Sequence, residues 1–483
     1  MSSRLPVSPA PEPLEAYAQL FDSLFAKRNQ RDAFRRYLEG LLLPAERNKT
    51  LTALANTEPV VGAHHRLAQG LQWFLSESTW EPQVVNTERL RLLRSDPTTA
   101  PDDQGVLIID ETGDRKAGTK TAHVGRQYLA NLGKTDNGIV SVSSLWADER
   151  VYYPLEVEPY TPAHWFQHGK TDPACRTKPQ IGVALVERAV AAQWPCRASV
   201  ADSFYGENET FRTGLHQLAV GYVLALKPSH CWWHPIEEIG SLAEVAEAAV
   251  WEGPARPGAW EAVTRRFRDG HNEVWWALEG VAGPYGPEQL QRAVIVTTDP
   301  VQLPDVTTWY LVTNLPAVGS ERAATSPLTP ASLGEIVRLY GLRMWVEQSY
   351  KQVKQALGWA QYQVRRDQAM RRHWVLVWCA FSFCWWHLGH SALDAPARLD
   401  DMVAPPSADA LPSDPAGREK KPGGRGQPAA KRVLAGSVAE GAGVVGAVDY
   451  ARTILASVVV SAPDKGTAGP AVLGPAGLST LSL

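Results

Sequence analysis

Residues 335–367 read EIVRLYGLRMWVEQSYKQVKQALGWAQYQVRRD. The placing of apolar and charged side chains in this stretch decides how the rest of the chain is read. In an α-helix each residue advances about 100°. With Tyr340 as zero, Arg343, Glu347, Lys351 and Lys354 fall between about −60° and +20°. Leu342, Val346, Val353 and Leu357 fall between about 200° and 260°. One face is therefore apolar and packs on a sheet, while the other presents a carboxylate among Tyr, Arg and Lys. A solvated face with Glu347 paired to Lys351 at i,i+4 is the plain alternative. Yet from Tyr340 to His373 seven basic residues meet only two acids, Glu347 and Asp367, an excess that suits phosphate backbone.

Upstream, GVLIIDET (105–112) is an apolar run that ends on Asp110, and ASVADS (198–203) repeats the design with Asp202 before a helix opening on SFYGEN. A carboxylate at the end of a buried strand is held rigidly at the sheet's edge. Either Asp alone is explained about as well by helix capping or by bracing a turn. Together with Glu347 they form a set of hard oxygen donors such as Mg²⁺ takes. Two such ions can stabilise the attacking and leaving oxygens of an in-line displacement at phosphorus.

Around these three points the pattern is ordered. Residues 1–13 are Pro-rich and read as loose. From Leu14 to Arg94 apolar residues recur at helical spacing. Between Ala26 and Thr50 seven basic residues (Lys27, Arg28, Arg31, Arg35, Arg36, Arg47, Lys49) oppose Asp32, Glu39 and Glu46, which reads equally as a DNA-facing module or an ordinary solvated face. Residues 138–158 read as two strands joined by a turn at Ala147–Arg150. A helix over about Ile181–Gln193, a strand at 198–203, a helix near 207–218 and a strand at 221–227 complete a mixed α/β sheet. Residues 230–330 hold seven Trp among Gly and Pro and read as a β-rich insertion. Helix returns at Pro330, and an apolar helix follows near 373–388. From about 395 the Ala/Gly/Pro/Ser composition cannot bury a core and reads as disordered.

Composition narrows the function classes. Of 483 residues 44% are hydrophobic and 20% charged, with a net charge of −3, so any nucleic-acid surface must come from local segregation of charge. Five scattered cysteines make no disulfide framework and suit a reducing, cytoplasmic setting. The N-terminus has no apolar signal core, and Val375–Leu388 is shorter than the roughly 20 residues of a membrane span. No P-loop, G-x-G-x-x-G or G-x-S-x-G is present, so no nucleotide cofactor or serine-hydrolase site is indicated. Cys384, His387 and His390 spread over about 120° of a helix, too wide for one zinc ion. His64 and His65 precede a helix and read as surface or cap positions.

The order Tyr340, two residues, Arg343, three residues, Glu347, six residues, Lys354 resembles the YREK signature of bacterial insertion-sequence transposases of the DDE type. LIIDETGDRKAGTK and HVGRQYLANLGKTDNG resemble the family's first block and its Gly-Arg-Gln-Tyr box, and ADSFYG its second block. The separations of 92 residues from Asp110 to Asp202 and 145 from Asp202 to Glu347 fit a β insertion between the last two acids. The resemblance spans about residues 20–390.

The resemblance implies an RNase H-like fold, with two Mg²⁺ ions (or Mn²⁺ in vitro) on Asp110, Asp202 and Glu347. It implies hydrolytic nicking of element ends, then attack by the freed 3′-OH on another phosphodiester. Tyr340, Arg343 and Lys354 would grip phosphates. Lys351, Arg126 and Lys134, with Arg35 and Arg36 of the helical module, are the further expected contacts to double-stranded DNA of element ends and target. A homodimer on paired ends, cytoplasmic and nucleoid-associated, with no membrane, completes the expectation. In relatives a Trp of the insertion stacks on a flipped base. The sequence does not say which Trp does so here, and seven in a β insertion more often mean core.

The expected organisation is a helical DNA-binding module over 14–96, a core over 100–229 and 331–394, the insertion over 230–330 between them, and the tail over 395–483. One position departs from the pattern: many relatives carry a second Asp after the first catalytic one, and here Glu111 stands there, retaining a carboxylate. The tail is also foreign to the family. Two rival readings stay open, an RNase H-like nuclease that cuts without strand transfer and a non-catalytic DNA-binding regulator descended from a transposase.

Overall fold

The computed structural model describes residues 9–44, 47–234, 237–282 and 291–394. The expectations for residues 1–8 and 395–483 lie outside the described residues.

The N-terminal segment is helical, with α1 (Leu14–Gln19), α2 (Arg28–Leu42), α3 (Leu51–Leu54), α4 (Arg66–Ser76) and α5 (Pro82–Ser95). His65 caps α4, its Nδ1 accepting the Leu67 N–H at 3.3 Å, as its position before the helix predicts. The count of basic residues needs correction. Arg35 is buried and paired with Glu15 at 2.8 Å and Asp22 at 2.7 Å. Arg31 is buried too and donates to the Phe25 carbonyl. The Lys49 ammonium donates to the Leu41 and Leu43 carbonyls, both at 2.6 Å, at the C-terminal end of α2. A buried charge is tolerated only where partners replace water, and these cations are spent on that. Arg35 is therefore not a surface contact for DNA, whereas Arg36 stays exposed.

One mixed sheet of twelve strands organises the rest. Its strands are β1 (Val106–Arg115), β2 (Gly125–Leu129), β3 (Lys134–Ala147), β4 (Tyr152–Pro159), β5 (Ala198–Ala201) and β6 (Tyr222–Ala225), followed by β7 (Cys231–His234), β8 (Glu237–Ser241), β9 (Glu261–Arg266), β10 (Asn272–Ala282), β11 (Gln291–Thr297) and β12 (Trp309–Thr313). In space β4 pairs with β3, β3 with β1, β1 with β5 and β5 with β6; β3 is antiparallel to β1, whereas β5 and β6 run parallel to it. This is the expected RNase H-like mixed sheet.

Sequence predicts a β-rich insertion over 230–330, and the described strands of this stretch continue the same sheet: β12 pairs with β6, and β11, β10, β7 and β8 follow outward. The exposed edge of β6 offers unpaired N–H and C=O groups, and β12 takes them up. Trp232, Trp260, Trp275 and Trp276 are buried, as a core role for the tryptophans predicts, while the Trp233 side chain lies outside the described residues.

Among the described residues eight further α-helices follow: α6 (Lys178–Ala191), α7 (Ser203–Gly206), α8 (Glu209–Gln217), α9 (Leu242–Ala248), α10 (Glu321–Thr325), α11 (Leu333–Gly341), α12 (Met344–Gln355) and α13 (Asp367–Asp394). Sequence predicts one continuous helix from Pro330 to about Gly358. The helix breaks at Leu342–Arg343, where the Arg343 N–H turns back to the Tyr340 carbonyl at 3.0 Å and the Trp345 N–H to Leu342 at 3.1 Å. These i→i+3 bonds tighten the chain locally, so Tyr340 lies on α11 while Glu347 and Lys354 lie on α12. No helix among the described residues is long and apolar enough to cross a membrane.

Candidate active site

Strand alternation sends neighbouring side chains of β1 to opposite faces. Asp110 faces α12 and Glu111 faces α6. Asp110 is 8% exposed and lies opposite Ser143 of β3. Ser143 Oγ shares a 2.6 Å hydrogen bond with the Tyr350 hydroxyl of α12, so strand and helix are tied together beneath the carboxylate. The one hydrogen bond to Asp110 from its own backbone neighbourhood is the Glu111 N–H at 2.8 Å.

Asp202 follows β5 and is the N-cap of α7, its Oδ1 accepting the Phe204 and Tyr205 N–H groups at 3.1 and 3.4 Å. Helix capping does account for this Asp in part, and it uses one of the two carboxylate oxygens. Gly206 explains the end of the ADSFYG block: a Cβ there would lie 1.8 Å from the Ala225 carbonyl oxygen of β6. Only glycine lets α7 come so close to the sheet.

Arg343, at the break between α11 and α12, joins the acids. Its Nη2 is 3.5 Å from Asp110 Oδ2 and its Nη1 3.1 Å from Glu347 Oε1. Burial opposes its charge, but Asp110, then Tyr340, Asp202 and Glu347, outweigh that and hold it firmly cationic. Arg343 Nε is buried with no hydrogen-bond partner. Burial pushes the Asp110 carboxyl up to about 7; Arg343 only partly offsets this, and Asp202 adds to the rise. Burial likewise pushes the Tyr340 phenol up to about 12. Glu347 itself is largely exposed, with 65% of its side chain accessible.

The structure therefore gathers Asp110, Asp202, Tyr340, Arg343 and Glu347 into one charge-coupled cluster. The three carboxylates do not close on a single point in this arrangement, since the Arg343 guanidinium bridges Asp110 and Glu347. Among the described residues no three His, Cys, Asp or Glu side chains stand as a ready metal cage.

Other expected residues lie apart. Lys354 pairs with Asp114 at 2.7 Å and donates to the Gly113 carbonyl at 2.9 Å, two turns along the cluster's edge. Lys351 is exposed. Arg126 and Lys134 are exposed on the β2–β3 hairpin. Glu111 does not stand in for a second site carboxylate: it pairs with Lys178 at 2.6 Å and accepts the Tyr205 hydroxyl at 2.8 Å on the opposite face. Composition and spacing give no sign of the Ser143–Tyr350 floor or the Lys354–Asp114 pair, because both join residues far apart in sequence.

A mixed sheet with a buried carboxylate in the middle of β1, a second one just beyond the parallel neighbour and a basic helix above them fits a polynucleotide-cutting enzyme of the DDE type. The family described as DDE superfamily endonuclease matches residues 19–264, a span that includes Asp110 and Asp202 and stops short of Glu347. Over 361 residues the chain is 33% identical to the probable transposase for insertion sequence element IS701 of Microchaete diplosiphon, covering 74% of this chain and 83% of that protein. The chain belongs to the DDE insertion-sequence transposases: it is a DNA transposase, an enzyme with an endonuclease domain of a family that generally depends on divalent metal.

Proposed function

We propose that Asp110, Asp202 and Glu347 are the catalytic carboxylates and that they hold two Mg²⁺ ions, for which Mn²⁺ can substitute. The observation that carries this reading is the grouping of the three acids around one cation: Arg343 Nη2 lies 3.5 Å from Asp110 Oδ2 and its Nη1 3.1 Å from Glu347 Oε1, with Asp202 at the end of the neighbouring parallel strand. Hard carboxylate donors suit divalent cations. The free Oδ2 of Asp202 and the exposed Glu347 complete the donor set once Arg343 turns away from Asp110. Bound there, the ions would polarise the attacking water and the leaving 3′-oxygen.

The protein's own residues would do the rest. Released from Asp110, Arg343 presents its fork, including the orphaned Nε, to a phosphate of the cleaved strand. Tyr340 keeps its proton and donates a hydrogen bond beside it. The Ser143–Tyr350 pair ties β3, the neighbour of β1, to α12. In the first step a water oxygen bonds to phosphorus, its proton passes to solvent, and the 3′-oxygen leaves as the hydroxyl. In the second that hydroxyl attacks a target phosphodiester and expels another 3′-oxygen.

We read Tyr340, Arg343, Glu347 and Lys354 as the YREK residues, and Lys351, Arg126, Lys134 and Arg36 as contacts to double-stranded element ends and target, with two copies pairing the ends on the nucleoid. Among the described residues Lys351, Arg126, Lys134 and Arg36 are exposed and have no ion pair, which suits phosphate. Lys354 has to exchange Asp114 for DNA.

The test is strand cleavage and joining on a duplex carrying the end sequence of the gene's own locus, with Mg²⁺ or with EDTA. Metal-dependent cutting and joining that disappears in Asp110→Asn, Asp202→Asn and Glu347→Gln supports the triad. Cutting that survives one substitution removes that residue. Cutting without joining makes the protein a nuclease, and binding without cutting makes it a regulator.

A further inference from the structure

Arg265 sits at the end of β9, on the hairpin that lies against α11. Its guanidinium carbon is 4.4 Å from the centroid of Phe267 and 4.8 Å from those of Trp275 and Trp309. Trp275 and Trp309 are themselves 4.5 Å apart, and Trp309 meets Tyr340 edge-on at 5.1 Å. A Cβ built on Gly341 would stand 3.2 Å from Arg265 Nε and 3.3 Å from Nη2. The cation is thus laid against the last turn of α11, one residue from Tyr340 and two from Arg343.

What it lacks is an acceptor. The other half-buried or buried arginines are matched: Arg292 by Glu279 and the Leu315 and Ala331 carbonyls, Arg372 by three carbonyls of the α4–α5 connection and α4 end. Among the described residues Arg265 has neither an ion pair nor a hydrogen bond. The one acid that acts on it, Glu273, instead accepts the Trp275 indole N–H at 3.0 Å. Aromatic faces attract the cation and fix its plane, but they offer nothing to its five in-plane N–H donors. Burial lowers its pKa to about 10, against a pull upward from Glu273, so it stays charged at neutral pH. A half-buried cation held flat beside Tyr340 and Arg343, with N–H groups that no acceptor among the described residues takes, suits an anion with in-plane oxygens, and a phosphodiester is the one a transposase's substrate brings.

We propose that Arg265 binds a backbone phosphate of the DNA strand that enters the Asp110–Glu347 cluster, so that the sheet extension, as well as α11 and α12, grips the substrate. The aromatic rings act as its positioning cradle. The contact rests on the active-site reading only for its location next to the cut bond.

The experiment is binding of the full-length protein to a labelled element-end duplex, without divalent cation, at a series of salt concentrations. Arg265→Gln is expected to weaken binding on the order of tenfold, uniformly across sequences, and to lower the slope of log K against log [salt] by about one. Arg265→Lys should keep the slope and recover part of the affinity. A second measurement covers a failure of folding. In wild type, methylphosphonate replacement of phosphates near the end should weaken binding at one position, and Arg265→Gln should be insensitive at that same position. An unchanged salt slope in Arg265→Gln, or equal weakening of both proteins at every neutralised phosphate, overturns the proposal. If the active-site reading fails, that appears as cutting by Asp110→Asn and leaves the salt slopes untouched.

Discussion

Asp110 and Glu111 are adjacent acids with opposite fates. Alternation along β1 turns Asp110 to the basic helix and Glu111 to Lys178. The alternation is legible in the sequence, and it is enough to place the two carboxylates on opposite faces. Their partners are not legible there, since Lys178 and Arg343 come from distant segments. The raised Asp110 pKa sets a direction for metal binding. Below about pH 7 the free site holds a proton there, which a divalent cation must displace. Divalent affinity in the absence of DNA is expected to rise between about pH 6 and pH 8 and then level off, with roughly one proton released at the acid end. Titration calorimetry in buffers of different ionisation enthalpy checks this. A heat that does not vary with buffer, or an Asp110→Asn variant with the same pH profile, would count against it. The same shift has a stability cost of known sign. A carboxyl whose folded pKa lies above its unfolded value withdraws stability as pH rises from about 4 to about 7.

At the scale of elements, the closest fit lies where α7 backs onto β6. Gly206→Ala places a methyl where the Ala225 carbonyl oxygen is, so α7 must move out and carry the Asp202 cap with it. The expected loss is about 1–3 kcal/mol in urea melts, together with weaker divalent binding; unchanged values for both would show that the helix can shift freely. A second element-level tie is Arg372 of α13, buried and bonded to the carbonyls of Leu75, Ser78 and Trp80. Arg372→Leu leaves those acceptors without donors, and a destabilisation of about 3 kcal/mol or more is expected in the same melts. Helix spacing makes the apolar α13 legible from sequence. It does not reveal that the arginine within it closes the end of α4, because side-chain reach across 294 positions of chain leaves no local pattern.

For the molecule as a whole, sequence suggests a β-rich stretch over 230–330, and its described strands prolong the core sheet. Since β12 pairs with β6, and Arg292 of β11 bonds the Leu315 and Ala331 carbonyls, residues 230–330 are structural. Replacing them with a short flexible linker is expected to abolish cooperative unfolding and leave insoluble protein. A soluble, cooperatively folding deletion would mean that the segment is a separable insertion after all. The N-terminal helices are bound to the catalytic core in a similar way. The Tyr37 hydroxyl of α2 donates to His373 Nδ1 at 2.8 Å, and His373 Nε2–H donates to the Gly358 carbonyl at 3.2 Å. Burial, reinforced by Lys116, pushes this histidine down to about 3. Its folded pKa lies below its unfolded value, so the stability it confers is complete above about pH 6.5 and is lost as pH falls toward 3. The gap in urea midpoint between wild type and His373→Gln should therefore narrow as pH drops from about 7 to about 5. A constant gap would show that the imidazole is not held neutral.

The sequence by itself determined the α/β class, the strand-end setting of Asp202, the placing of Asp110 on a buried strand (though that strand runs on to Arg115 and does not end there), the amphipathic helix bearing Glu347, and the family resemblance. Each follows from periodicity or from residue types at short range, which local backbone geometry dictates. Tertiary structure alone decided which cations are available. Arg35 and Arg31 have the same local signature as Arg36, and Arg265 the same as Arg266, yet burial and partners set them apart. It also decided that Arg343 bridges the carboxylates and that the tryptophan-rich segment extends the sheet. Electrostatic pairing and strand pairing depend on distances through space, which the order of residues along the chain does not record.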